Sequence, residues 1–135
     1  MKIVLLVCRL LLGLIFFVFG LNNILGFLHM APPPGDAGTW MGIMAAHGFM
    51  KFVGTLMVIS GLLLLVGRFV PLALAILAPI ITNILLFHAL LEPHGFVPAA
   101  VAALLEVILL IAYHRSFHGL LLPEPPADTR ALEPR

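Results

Sequence analysis

The sequence has little charge and a single cysteine. Seven Lys and Arg and six Asp and Glu leave 10% of its 135 residues charged, with a formal net charge of +1. So sparse and balanced a set offers no basic surface for nucleic acid and no polybasic lipid anchor. Cys8, being alone, excludes an internal disulfide and any CxxC redox pair. No hydrophilic stretch is long enough to bury a core of its own, so the chain reads as one domain.

What the chain has instead is apolar length. It is 62% hydrophobic, against roughly 45–50% for soluble domains, and its mean hydropathy is +1.19. The apolar residues form blocks over about 3–28, 49–66, 69–91 and 96–113. Each is near the roughly 17–25 residues a helix needs to cross the hydrocarbon core. The expected fold is all-α: an integral membrane bundle of four transmembrane helices over residues 1–115, then a solvated, Pro-rich tail over 116–135. The first block is far longer than the roughly 7–15-residue apolar core of a signal peptide, so it reads as a retained helix. The breaks at Gly67-Arg68 and Glu92-Pro93-His94-Gly95 are tight turns, which makes the last three spans antiparallel neighbours. The stretch Thr39–Gly48 is too polar and glycine-broken for a span and reads as a short interfacial helix.

Lys2, Arg9, Arg68 and Arg115 fall on the side carrying both termini, and the other side has only Lys51, with Asp36 and Glu92. The positive-inside rule then predicts cytoplasmic termini.

Steps of about 100° per residue put Arg9, Gly13, Phe16, Gly20 and Asn23 on one face of the first helix. Gly54 and Gly61 repeat the spacing of Gly13 and Gly20 on the second, and smooth stripes of this kind let two helices pack closely in lipid.

Arg9 and Glu106 sit inside apolar runs. A charge at a helix centre costs roughly 2.5–3.5 kcal/mol on insertion scales, so the two are expected to pair, with Ser60 at a similar depth. A static ion pair, a snorkelling Arg9 and a role in proton or ligand handling all remain open readings of these residues.

Six histidines complete the chemistry. His114 and His118 are one helical turn apart, but no Cys, Asp or Glu nearby completes a ligand set, and interfacial anchoring is the better reading. A haem would need two inward imidazoles at one depth, and only His88 is near a span. Pro79 leaves the carbonyl of Ala75 without its intrahelical donor; a kink there would open a polar pocket involving Asn83, with Asn23 and His88 as further polar groups, suited to a lipid or quinone headgroup.

The run Arg9-Leu-Leu-Leu-Gly13 with Phe19-Gly20, then Gly61-Leu-Leu-Leu-Leu-Val-Gly67-Arg68 continuing into Val70-Pro71-Leu-Ala, resembles the DoxX family of small bacterial membrane proteins. The stretch Ala78-Pro79-Ile-Ile-Thr-Asn83-Ile-Leu-Leu-Phe-His88 resembles one branch of it. The resemblance implies a four-helix bundle in a bacterial inner membrane and, in some relatives, partnership with redox proteins or a quinone-linked system. Many relatives carry a lysine and a glutamate where this chain has Asn23 and Met57. Loss of both charges shifts the expectation toward a non-catalytic accessory or scaffold subunit of a larger respiratory or redox complex. Its partners would be lipid and other membrane subunits; no catalytic or metal-binding residues and no cofactor are expected. The alternative is a quinone- or lipid-binding oxidoreductase component with Glu106 as the proton-handling group.

Overall fold

The computed structural model describes residues 1–123; the remainder of the expected tail, 124–135, lies outside the described residues. Five α-helices follow in order: α1 Lys2–Leu25, α2 Gly35–Ala46, α3 Phe49–Val66, α4 Val70–Leu90 and α5 Phe96–Ala112. Short 3-10 helices precede and follow α5 at Pro93–Gly95 and His114–Leu121. The fold is all-α, and α1, α3, α4 and α5 with the turn before it are long and apolar enough to cross a membrane. This is the build of a multi-pass membrane protein.

The four long helices form a ring in which α1 packs on α3, α3 on α4, α4 on α5 and α5 back on α1. The diagonals are therefore α1 with α4 and α3 with α5. The closest pair is α1 and α3, and its cause is the glycine stripes. A Cβ on Gly13 would stand 3.0 Å from the carbonyl oxygen of Gly61, and one on Gly61 would stand 2.6 Å from the nitrogen of Phe17. Only hydrogen at these positions lets the backbones touch, and in lipid such close packing replaces the hydrophobic drive. Inside the ring, Leu12, Leu64, Leu74, Leu77 and Leu109 are wholly buried. Leu72, Leu86, Leu104, Val107 and Ile111 project outward, as expected of helices facing lipid.

Three boundaries differ from the sequence expectation. Helix α1 stops at Leu25, short of residue 28, because Gly26 turns left-handed (φ 65°) and its N–H donates to the Asn22 carbonyl at 2.8 Å. The Asn22 side chain then accepts from the Leu28 N–H at 2.6 Å, so one residue closes the helix twice. Helix α2 starts at Gly35, straight after the proline run and four residues before Thr39. Residues expected as coil after 115 instead continue the 3-10 helix to Leu121, where Phe117 packs against the core.

Candidate functional site

The glycine contacts fix the register of α1 against α3. Gly13 faces Gly61, Gly20 faces Gly54, and Arg9 faces Gly67. Helix α1 has 24 residues and α3 has 18, about 36 and 27 Å at 1.5 Å per residue. The N-terminal turns of α1 therefore run past the end of α3. Arg9 lies at that end, its guanidinium against Gly67, where the unpaired carbonyls of α3 carry partial negative charge and favour a cation.

Arg9 and Glu106, expected to pair, do not. The two form no ion pair, and Arg9 Nε and Glu106 Oε1 are both buried without a hydrogen-bond partner. Counting residues from each helix's own end puts the two charges level, but α1 overhangs α3, so Arg9 stands at the C-terminal end of α3 and its guanidinium lies against Gly67.

One other buried polar side chain lies in the ring. Ser60 lies six residues inside the end of α3, and it is wholly buried while Glu106 is 3% exposed. Helices α3 and α5 are diagonal, and both side chains are buried within the ring. Ser60 Oγ, like Glu106 Oε1, has no hydrogen-bond partner. Buried polar atoms without partners are costly, and Ser60 and Glu106 are the buried polar side chains of an otherwise apolar core.

The polar pocket expected from Asn23, Asn83 and His88 is dispersed. Asn23 faces α3, where its Nδ2 donates to Met57 Sδ at 3.6 Å. Asn23 and Met57 thus touch across the α1–α3 interface. Asn83 is exposed on α4 and lines a groove of about 230 Å³ with Trp40, Leu86, Phe87, Leu90 and Leu91. His88 turns away toward the α4–α5 connection. Thr82 donates to the Ala78 carbonyl at 2.8 Å, so it does not satisfy the Ala75 carbonyl that Pro79 frees.

A built polar cluster, not foreseen from the sequence, closes that connection. His88 Nδ1 lies 2.9 Å from the Glu92 carbonyl oxygen and 3.0 Å from Glu92 Oε2. Both are acceptors, which assigns the proton to Nδ1. The Gly95 N–H donates to Glu92 Oε2 at 2.9 Å, and His94 Nδ1 is 3.2 Å from Oε1. Partial burial raises the Glu92 carboxyl, but the Gly95 N–H and the two histidines outweigh it and hold the group below 4.5. The His88 ring occupies the space a Cβ on Gly95 would need. Trp40 of α2 stacks on Phe87 at 5.1 Å between centroids, and Phe87 meets His88 edge-on at 5.2 Å. The pattern Glu-Pro-x-Gly was the available signal: an acidic cap with Pro at the first helical position.

At the other end, His114, Arg115, His118 and Leu121 line an open concavity. His114 Nδ1 is 2.7 Å from the Ile111 carbonyl, a local contact. Among the described residues no three His, Cys, Asp or Glu side chains are arranged to hold a metal ion.

Compared with protein-family models, curated proteins and solved structures, the chain matches none. The DoxX resemblance rests on the quoted residues alone.

Proposed function

We propose that the chain is a DoxX-like, non-catalytic accessory or scaffold subunit of a larger respiratory or redox complex in a bacterial inner membrane. The observation that carries the reading is the Asn23–Met57 contact. It occupies, with two uncharged residues, the two places where DoxX relatives carry a lysine and a glutamate. A neutral contact there packs α1 on α3 and has no proton to give or take at neutral pH. The outward Leu, Val and Ile of α4 and α5 supply apolar surface for lipid and for neighbouring subunits.

Purification of the native chain in mild detergent tests this. Co-purification of defined membrane subunits in fixed stoichiometry, without a haem or flavin spectrum and without quinone- or thiol-dependent turnover by the chain alone, is the expected result. A second reading, a quinone- or lipid-binding oxidoreductase component, is favoured by Glu106 and Ser60, whose buried oxygens lack partners. Stoichiometric quinone that is lost in Glu106→Gln would replace the first reading by the second.

A further inference from the structure

The four membrane-crossing helices carry few amides and hydroxyls, and all but two have a partner. Asn22 bonds the Leu28 N–H, Asn23 bonds Met57, and Thr55 and Thr82 return to carbonyls of their own helices. Ser60 is buried in the core. Asn83 alone is exposed on the bundle's outer surface without a hydrogen bond to any described residue. It lies seven residues, about 10 Å, inside the end of α4 at Leu90. Hydrocarbon at that depth offers an amide nothing to bond.

The surroundings of Asn83 repeat in heptads. Leu72, Ile76, Pro79, Asn83, Leu86 and Leu90 follow one another at spacings of four, three, four, three and four, and none is buried. This is the seam of a left-handed helix pair, with Ile76, Asn83 and Leu90 at a positions and Leu72, Pro79 and Leu86 at d positions. A side-chain amide both donates and accepts, so it is complementary to itself. A symmetric pair of identical chains in a bilayer shares one orientation, which makes the two α4 helices parallel and sets every residue level with its own copy. A lone Asn at an a position of a parallel pair specifies that arrangement and its register.

We propose that α4 is a homodimer seam: two copies of the chain associate in parallel through this stripe, with the Asn83 amides hydrogen-bonded to each other across the two-fold axis. The inference does not rest on the accessory reading, since a dimer forms whether or not larger subunits join it. The competing occupant is a lipid or other amphiphile in the groove beside Trp40.

Disulfide cross-linking of the full chain in membranes tests the seam. In a Cys8→Ala background, Leu86→Cys is expected to give a species of twice the chain mass, and Leu104→Cys on the outer face of α5 is expected not to. Energy transfer between labelled copies diluted in lipid should show Asn83→Leu weakening association by roughly 3- to 20-fold, with Asn83→Gln retaining most of it. Equal cross-linking at both positions, a chain that stays monomeric on concentration in lipid, or an Asn83→Leu variant that associates as tightly as the parent would overturn the proposal. So would a monomer carrying one tightly held amphiphile that Asn83→Leu releases.

Discussion

Gly20 and Gly54 meet backbone to backbone: a Cβ added to either would stand 2.8 Å from the carbonyl oxygen of the other. Neither neighbour is a flexible side-chain tip, so the helices themselves must move apart to admit a methyl group. Gly20→Ala and Gly61→Ala are each expected to lower stability by about 1–3 kcal/mol through overpacking. Gly42 on α2 has open space around its missing Cβ, so Gly42→Ala should be neutral or stabilising by up to about 1 kcal/mol. Thermal unfolding in detergent decides it; equal effects at all three positions would mean that the close contact contributes nothing.

Arg9 and Glu106 make a second, opposite case, because the structure separates two charges that chemistry alone would join. Groups in contact show coupling energies of about 0.5–3 kcal/mol, whereas distant sites add to within about 0.5. The stability changes of Arg9→Leu and Glu106→Leu, whatever the sign of each, should therefore add. A double variant markedly more stable than the sum of the singles would show that the two residues interact.

The glycine contact was legible in the sequence because stripes on two helices match at a seven-residue spacing, and the two short turns fixed which helices adjoin. Depth was not. Counting inward from each helix end assumes helices of equal reach, and that fails when a 24-residue helix is pinned by its glycines against one of 18. Local side-chain chemistry was also hidden: Asn22 capping twice ends α1 early, and the His88 ring over Gly95 reorganises the last connection. The candidate pocket failed for a plainer reason. Asn23 and His88 each found a nearer partner, leaving Asn83 on the outside.

Because Asn23 and Met57 touch, they should accept a lysine and a glutamate, but only as a pair. Asn23→Lys or Met57→Glu alone places one charge in a packed apolar interface, a cost of roughly 2.5–3.5 kcal/mol on insertion scales. The double variant is expected to recover most of that loss. Unfolding midpoints of the four proteins give the coupling directly, and losses that simply add would show that the two positions cannot hold an ion pair.

Acid should loosen the α4–α5 connection. The Glu92 carboxyl is held below 4.5 in the folded chain by the Gly95 N–H and the two histidines. A group with a depressed folded value contributes stability above its unfolded value and loses it as pH falls through the folded one. The unfolding midpoint should therefore hold above about pH 5 and fall on acidification below 4.5. Glu92→Gln should start lower and flatten this acid limb. A parent and variant with parallel pH profiles would show that the cluster does not carry the effect.

The side of the membrane on which the termini lie is fixed, as an expectation, by Lys2, Arg9, Arg68 and Arg115 at one end of the bundle against Lys51 at the other. Four crossings put both termini on one side whatever the orientation, so a single asymmetric labelling experiment determines the whole topology. In a Cys8→Ala background, Asp36→Cys on α2 and His94→Cys, whose parent side chain is 96% exposed, report one face. Ser116→Cys on the exposed side of the C-terminal 3-10 helix reports the other. A membrane-impermeant maleimide added to intact cells or right-side-out vesicles should modify the first two and spare the third, which reacts only after permeabilisation. Modification of Ser116→Cys alone would invert the bundle and place its positive end outside. Modification of all three from one side would mean an odd number of crossings between Asp36 or His94 and Ser116 is not what the chain makes, and would remove one of the four spans.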